Sequence, residues 1–208
     1  EPRLVLMDEP LGALDKNLRE QMQYEIKHIH ERIGITVVYV THDQSEALTM
    51  SNRIAVFDEG VIQQLSTPDI LYEKPENSFV AQFIGENNRM TGTIKNIDEK
   101  YCEVDLDGGG IVKALKVNIG SVGERTQLSV RPERVSVNNT QEISNENNFK
   151  GVIKELIYLG DHIRARIEVC GNDEFIVKIP NEGNVDLKEG ASINLHWQAE
   201  DIRALDPL

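Results

Sequence analysis

The sequence has few basic residues and few aromatic residues. Its 208 residues include 22 Lys and Arg against 35 Asp and Glu, which gives a formal net charge of −13. Binding to a nucleic-acid backbone or to an anionic membrane needs a basic surface, so this balance argues against either as the main partner. Phe, Trp and Tyr make up 5% of the chain, which is too few to suggest a platform for stacking single-stranded bases.

Cysteine and long apolar runs are also scarce. Cys102 and Cys170 form neither a disulfide framework nor the closely spaced pairs of a metal site. No window approaches the roughly 18 uncharged apolar residues of a transmembrane helix, and no basic-then-apolar signal peptide opens the chain. The composition therefore predicts a soluble, intracellular protein.

Two short apolar runs stand out in the first part of the chain. Leu4–Met7 and Ile35–Val40 have the composition of buried parallel strands. Between them, the pattern predicts a helix that begins after an Asp15 N-cap, carries one apolar stripe and stops at Gly34. Strand, helix and strand in this order form a βαβ unit. Because the first run begins almost at residue 1, we expect the chain to be the C-terminal part of a longer protein.

The pattern changes beyond Gly85. Before it, we predict a hairpin over 53–65, a helix that begins with Thr67 as N-cap, and a helix around 78–84. After it, short alternating segments separated by Gly and Asn indicate an antiparallel β domain. Segments 91–95 and 150–154 resemble each other, as do 128–135 and 193–202, so two repeats are expected to share one barrel-like core. We therefore predict an α/β domain over 1–86 and an all-β, OB-like barrel domain over 87–208.

Polar side chains follow the two predicted parallel strands. Asp8 and Glu9 come directly after the first strand, and His42 follows the second. Open α/β sheets bind ligands at this edge, so the three side chains are expected to face one crevice. One carboxylate suits a hydrated Mg²⁺ ion, and the other suits proton abstraction from water that attacks a phosphate. Taken singly, each residue is also compatible with a solvated loop position.

Three motifs, in this order and spacing, resemble the ATPase subunits of ABC transporters. They are LVLMDEP at 4–10, GALD at 12–15 and VVYVTHD at 37–43. The resemblance identifies them with the end of the Walker B strand, the D-loop and the switch-histidine loop. Residues 41–85 look like the importer branch of the family, and the repeat with SVRPERV resembles its TOBE-type β domain. The resemblance implies a partial P-loop NTPase lobe followed by a TOBE domain.

The resemblance also implies roles for four residues. Asp8 would be the carboxylate associated with Mg²⁺, Glu9 the general base, and His42 the contact to the γ-phosphate of ATP. Asp15 would lie at the seam between two ATPase subunits, which close head to tail around two ATP molecules. The sequence contains neither G-x-x-x-x-G-K-[ST] nor an LSGGQ-like signature. The parent protein is thus expected to be a transport ATPase, and this chain alone is not expected to bind or hydrolyse ATP.

The transported solute is implied only by the C-terminal segments. YLGDHIRARIEV at 158–169 and GNDEFIVKIP at 171–180 look most like polyamine (spermidine/putrescine) importers. The implied partners are a second ATPase subunit, transmembrane permease subunits and, indirectly, a periplasmic solute-binding protein, with no nucleic acid. The implied location is the cytoplasmic face of the inner membrane.

Two other function classes remain open. A soluble ABC-type ATPase of DNA maintenance would share the strand-end carboxylates and the histidine, although the sequence has no long heptad helix. The β domain could instead be a regulatory module that binds a small ligand such as an oxyanion, or a dimerisation domain. Its clustered cations, which could serve an anion or simply form a solvated face, are Arg131, Arg134, Arg164 and Arg166.

Overall fold

The computed structural model describes residues 3–138, 147–181 and 187–207. The chain divides into two compact units, residues 1–75 and 76–208. The predicted boundary after residue 86 differs from this division because a short helix, α4 (Ser78–Phe83), belongs to the second unit. The Ser78 amide donates to Asp206 Oδ1 at 2.9 Å, and the Arg131 guanidinium donates to the carbonyl of Ala81 at 3.2 Å.

The first unit is built from short strands and helices. In chain order they are β1 (Leu4–Asp8), α1 (Lys16–Ile33), β2 (Thr36–Val40), α2 (Gln44–Met50), β3 (Ile54–Asp58), β4 (Val61–Ser66) and α3 (Pro68–Glu73). Strands β1 and β2 pair in parallel with Leu6 opposite Val38, so the predicted βαβ unit is confirmed. Strands β3 and β4 form the predicted antiparallel hairpin.

The ends of α1 follow from local hydrogen bonding. Asp15 Oδ1 accepts from the amides of Asn17 and Leu18, both at 3.1 Å, as an N-cap does. Gly34 adopts a left-handed conformation with φ 72°, and its amide donates to the His30 carbonyl at 2.8 Å. The predicted bounds of this helix are confirmed.

Two local details differ from the simple pattern. Thr67 is the N-cap residue of α3, as predicted, but it makes no side-chain cap hydrogen bond, and its hydroxyl donates to Asp69. Strands β1 and β2 are not buried on both faces, since Leu6 is 72% exposed and Val40 is 53% exposed. Among the residues that the structure describes, each of these strands pairs with one strand, and alternate side chains point away from the covered face.

The second unit contains ten strands that fall into two sheets within the described residues. A closed barrel, as predicted, consists of β5 (Asn88–Ile97), β6 (Tyr101–Leu106), β7 (Ile111–Lys116), β8 (Arg125–Val130) and β14 (Ile202–Leu205). An open sheet consists of β9 (Ser136–Asn138), β10 (Asn147–Tyr158), β11 (His162–Val169), β12 (Asn172–Pro180) and β13 (Ser192–Trp197). The similar segments 91–95 and 150–154 lie in β5 and β10. These strands are in equivalent places in the chain order, because each is the first of four consecutive strands, β5–β8 and β10–β13.

The two sheets exchange their last strands. Strand β9 follows β8 in the chain but pairs with β13, and β14 follows β13 but pairs with β8 and β7. Each sheet therefore depends on a strand from the other half of the unit. One continuous apolar core spans both sheets, and within it the Trp197 ring stacks on Phe149 and Phe175 with centroid distances of 5.2 and 5.8 Å.

Among the helices in the described part of the chain, none is both long enough and apolar enough to cross a membrane.

Candidate active site: a Glu–His pair at the strand ends

Glu9 and His42 meet at the ends of the two parallel strands. Glu9 Oε1 lies 3.0 Å from His42 Nδ1, and the side chains are 51% and 76% exposed. The structure therefore brings together two of the four residues that the sequence singled out. The pair is open to solvent, so both groups are accessible to a ligand.

Main-chain geometry positions this pair. The Glu9 amide donates to the Val40 carbonyl at 2.9 Å, which extends the pairing of β1 and β2 by one step. Glu9 itself has φ 43°, a left-handed conformation that non-glycine residues rarely adopt. Such backbone conformations cluster at functional sites. The turn after β1 and the segment after β2 are thus held at a common edge.

The pair also changes the acid–base properties of the histidine. The hydrogen bond and the negative charge of Glu9 raise the pKa of His42 above its ordinary value of 6.5. Smaller contributions in the same direction come from Asp43 and Glu46. The imidazole is thus biased toward its protonated form, in which both ring nitrogens are donors.

The other two predicted site residues lie close in sequence but do not join the pair. Asp8 is exposed at the last position of β1, and the Asp15 carboxylate is occupied as the N-cap of α1. Within residues 3–138, 147–181 and 187–207, no cluster of three or more His, Cys, Asp or Glu side chains could hold a metal ion. A Mg²⁺ ion usually keeps several waters and needs only one or two carboxylates when phosphate oxygens complete its shell. Asp8 fits that limited role.

A buried polar network, which the sequence analysis missed, supports the histidine segment. Glu46 is 3% exposed, and its Oε2 accepts from the Tyr39 hydroxyl at 2.9 Å and from the Thr41 hydroxyl at 2.8 Å. Burial, together with the hydrogen bond and charge of Glu46, raises the pKa of Tyr39. Its two partners precede His42 in the chain, and Glu46 itself follows it in α2. The network thus connects the end of β2 to α2 across the histidine segment.

Arg19 joins this network to the turn before α1. Its Nη1 donates to Asp43 Oδ2 at 2.9 Å, its Nη2 donates to the Leu14 carbonyl at 3.1 Å, and its Nε lies 3.8 Å from Glu46 Oε1. Asp43 is also the N-cap of α2, and it accepts from the Ser45 amide at 2.8 Å. One sequence signal could have found part of this network, because Asp43 and Glu46 have the spacing of a capping box.

In the second unit, the clustered cations are engaged in the protein itself. Arg131 is buried and donates to main-chain carbonyls, including that of Glu86 at 3.1 Å. Arg164 contacts the Glu86 carboxylate at 2.7 Å, and Arg166 contacts Glu155 at 3.1 Å. These contacts support a structural role for the cations rather than an anion site.

Both cysteines of the second unit are free thiols. Burial raises the pKa of Cys102 and of Cys170 to about 11 in each case. A thiol is a poor nucleophile until it ionises, so burial disfavours the reactive thiolate form of both side chains.

Comparison with known proteins agrees with these observations. Residues 128–205 match the sequence model of the TOBE domain family. The chain is 43% identical over 181 residues to the spermidine/putrescine import ATP-binding protein PotA of Pseudomonas aeruginosa, covering 86% of this chain and 50% of that protein. The chain is thus similar to import ATP-binding proteins over the part that it shares with them. The resemblance predicted from the three motifs is confirmed.

Two further relatives are similar to the chain over nearly its whole length. PotA of Trichodesmium erythraeum is 39% identical over 211 residues, which cover 98% of this chain and 55% of that protein. PotA of Chromobacterium violaceum is 40% identical over 203 residues, covering 95% of this chain and 56% of that protein. The chain therefore spans about half the length of these curated relatives.

One solved structure resembles the chain in fold. The cytoplasmic molybdate-binding protein ModG, crystallised with molybdate bound, superposes with a TM-score of 0.50 at 20% sequence identity. The match covers 58% of this chain and 96% of that chain. At this identity the similarity supports the all-β architecture of the second unit and carries no information about its ligand.

Proposed function

We propose that this chain is part of the ATP-hydrolysing subunit of an ABC importer, and that the imported solute is a polyamine. The observation that carries the proposal is the Glu9–His42 pair at the edge of a parallel strand pair, in a chain about 40% identical to spermidine/putrescine import ATP-binding proteins. The chain alone is not expected to turn over ATP, because it contains no phosphate-binding G-x-x-x-x-G-K-[ST] loop.

In the proposed reaction, Glu9 accepts a proton from the water that attacks the γ-phosphate, and His42 donates a hydrogen bond to that phosphate. The raised pKa of His42 favours the donor form that this role needs. Asp8 would hold the Mg²⁺ ion together with water and phosphate oxygens, and the ion would neutralise charge on the phosphates. Asp15 would lie at the seam with a second ATPase subunit.

The partners proposed for the whole protein follow from its family. They are a second copy of the ATPase subunit, transmembrane permease subunits and, indirectly, a periplasmic solute-binding protein, with the subunit at the cytoplasmic face of the inner membrane. Nucleic acid is not proposed as a partner, because the chain is strongly acidic.

ATP hydrolysis by the complete subunit that contains this chain tests the proposal. Glu9→Gln keeps the shape of the side chain but removes the base, and we expect ATP turnover to fall by roughly 100-fold or more. The matched control is Glu25→Gln on the exposed face of α1, which should turn over like the wild type. Full activity of Glu9→Gln in the presence of the membrane partners would overturn the assigned mechanism.

Uptake of labelled solute tests the polyamine assignment separately. Cells that carry the complete transporter should accumulate spermidine and putrescine, and Glu9→Gln should abolish this uptake while Glu25→Gln preserves it. ATP-dependent uptake of a sugar, sulfate or iron in place of polyamines would retain the ATPase proposal and refute the solute.

A further inference from the structure

The segment that carries His42 is fastened on both sides of the histidine. Before it, the Thr41 hydroxyl donates to Glu46 Oε2 at 2.8 Å and accepts from the Asp43 amide at 3.0 Å. After it, Asp43 Oδ1 accepts from the Ser45 amide at 2.8 Å and from the Ser45 hydroxyl at 2.7 Å. The main chain at His42 is therefore set by its two neighbours in the sequence, whereas the imidazole itself is 76% exposed.

Arg19 connects this segment to a different part of the chain. From α1, its Nη1 donates to Asp43 Oδ2 at 2.9 Å, and its Nη2 donates to the Leu14 carbonyl at 3.1 Å. Leu14 lies in the turn between β1 and α1, which begins at Glu9. One guanidinium thus links the segment after β2, which carries the histidine, to the turn after β1, which carries the carboxylate partner of that histidine.

Main-chain hydrogen bonds continue the connection from Leu14 back to Glu9. The Leu14 amide donates to the Leu11 carbonyl at 3.1 Å, and the Gly12 amide donates to the Glu9 carbonyl at 3.2 Å. Leu11 is 3% exposed, so the middle of this turn is anchored by burial. Glu9 and His42 are therefore held relative to each other by a second route, through the guanidinium, in addition to the pairing of β1 with β2.

The geometry of this link suits a guanidinium rather than any cation. Two nitrogens of one planar fork donate to a carboxylate and to a carbonyl, and the single nitrogen of a lysine does not occupy both positions. The third nitrogen of Arg19, Nε, is buried without a hydrogen-bond partner among the described residues, and it lies 3.8 Å from Glu46 Oε1. Charge therefore attracts Arg19 to Glu46, while its hydrogen bonds are directed to Asp43 and Leu14.

A second cation on α1 makes a comparable contact at a different place. Lys27 is half-buried like Arg19, and its Nζ donates to the Thr49 carbonyl at 3.3 Å. Thr49 lies in the last turn of α2, at the opposite end of that helix from its N-cap Asp43. Lys27 therefore separates the stabilising effect of a cation between α1 and α2 from an effect on the histidine segment.

We propose that Arg19 is a positioning residue for ATP hydrolysis, and that it holds His42 in place opposite Glu9. It does so by fastening Asp43 to the turn at Leu14. The inference rests on the proposed function, because it gives Arg19 a role in the reaction of the Glu9–His42 pair. Misplacement of a reacting group by about 1 Å can lower a rate by about 100-fold. Loss of the link should therefore slow the chemical step and leave ATP binding nearly unchanged.

Steady-state ATP hydrolysis by the complete transporter that contains this chain tests the role. We expect Arg19→Met to lower kcat by about tenfold or more and to change KM for ATP by less than about twofold. Arg19→Lys keeps the charge but not the fork, so it should restore stability more than kcat. Lys27→Met is the matched control and should keep the wild-type kcat. All variants are assayed at a temperature at which circular dichroism shows them folded.

A second measurement needs no ATP and separates positioning from a general loss of stability. In the 208-residue chain, the imidazole ¹⁵N signals of His42 should shift or broaden in Arg19→Met, because the ring loses its fixed position. The same signals should be unchanged in Lys27→Met. Unaltered His42 signals in Arg19→Met would overturn the proposal.

The kinetic outcomes distinguish this inference from the proposed function. Wild-type kcat in Arg19→Met beside an inactive Glu9→Gln would overturn the positioning role alone. An equal fall of kcat in Arg19→Met and Lys27→Met would also overturn it, because the loss would then reflect stability. Full activity of Glu9→Gln in the same assay would overturn the assigned mechanism and the positioning role together.

Discussion

The Glu9 carboxylate accepts a hydrogen bond from His42, with Oε1 and Nδ1 separated by 3.0 Å, although the two residues follow different strands. This relationship depends on the parallel pairing of β1 and β2 and on the bond from the Glu9 amide to the Val40 carbonyl. A carboxylate at this distance favours the charged form of the imidazole, so the titration of His42 is a probe of the pairing.

The pKa of His42 should therefore depend on Glu9. Glu9→Gln removes the charge that raises it, so we expect the pKa of His42 to fall toward its ordinary value of 6.5. Since the folded-state pKa is raised, the pair stabilises the fold fully below 6.5, and this contribution disappears as pH rises through the raised pKa. Titration of the imidazole proton signals by NMR measures the shift. Glu25→Gln should leave it unchanged, and an unaltered His42 pKa in Glu9→Gln would contradict the pairing.

Removal of the Arg19 guanidinium should destabilise the first unit. Arg19→Met removes the cation near Glu46, which is 3% exposed, and it also removes the hydrogen bond that Asp43 accepts from Arg19. Because Arg19 is itself 29% exposed, we expect a loss of about 1–3 kcal/mol rather than the larger cost of a fully buried pair. Urea unfolding followed by far-UV circular dichroism measures the change.

The matched control for Arg19 is Lys16, on the same helix. Its contact with Glu20 is 4.0 Å long and its side chain is 88% exposed, so Lys16→Met should change the free energy of unfolding by less than about 0.5 kcal/mol. Equal effects of the two substitutions would show that the Arg19 network does not stabilise the unit.

Stability of the second unit should decrease in acid through Glu86. Burial raises the pKa of this carboxyl, but the hydrogen bonds and charges of Arg164 and Lys178 outweigh burial and hold it below its ordinary value of 4.5. The contribution is therefore complete above 4.5 and disappears as pH falls through the lowered pKa. Urea unfolding, followed by the fluorescence of Trp197, should be compared at neutral pH and at about pH 3.

Substitution of Glu86 should remove part of that pH dependence. Glu86→Gln is expected to unfold at lower urea concentration at neutral pH and to lose less stability on acidification than the wild type. Glu99→Gln, at an exposed position of the same unit, should keep the wild-type profile. The same acid sensitivity in Glu86→Gln and the wild type would refute this assignment.

Gly108→Ala should strongly destabilise the second unit. The added Cβ would meet the Cys170 carbonyl oxygen at 1.5 Å, and relief requires movement of two backbones. We expect a loss of at least about 2 kcal/mol. At Gly120 the added Cβ meets the end of the flexible Glu124 side chain instead, so Gly120→Ala should cost distinctly less. Similar urea midpoints for the two variants would contradict the close approach of the turns.

The secondary structure of the first unit was largely predictable from local signals. The Asp15 cap, the Gly34 stop and the two apolar runs each act through neighbours in the sequence, and they correctly predicted the order of strand, helix and strand. The exposure of Leu6 was not predictable, because a continuous apolar run does not reveal how many elements will cover it.

The candidate site was predictable in its residues but not in its support. Motif spacing placed Glu9 and His42 at one edge, whereas the bond between them depends on the turn conformation of Glu9. The network of Arg19 and Glu46 joins side chains from α1, β2 and α2, and no local pattern connects all three.

Sequence by itself determined the repeated β segments, the caps and turns, and the resemblance of the motifs to ATPase subunits of ABC transporters, because each depends on residue types at short spacing. Only the tertiary structure decided the exchange of β9 and β14 between the sheets and the engagement of Arg131 and Arg164 inside the fold. These features depend on pairings between residues far apart in the chain, whose partners are selected by shared burial and register rather than by local propensity.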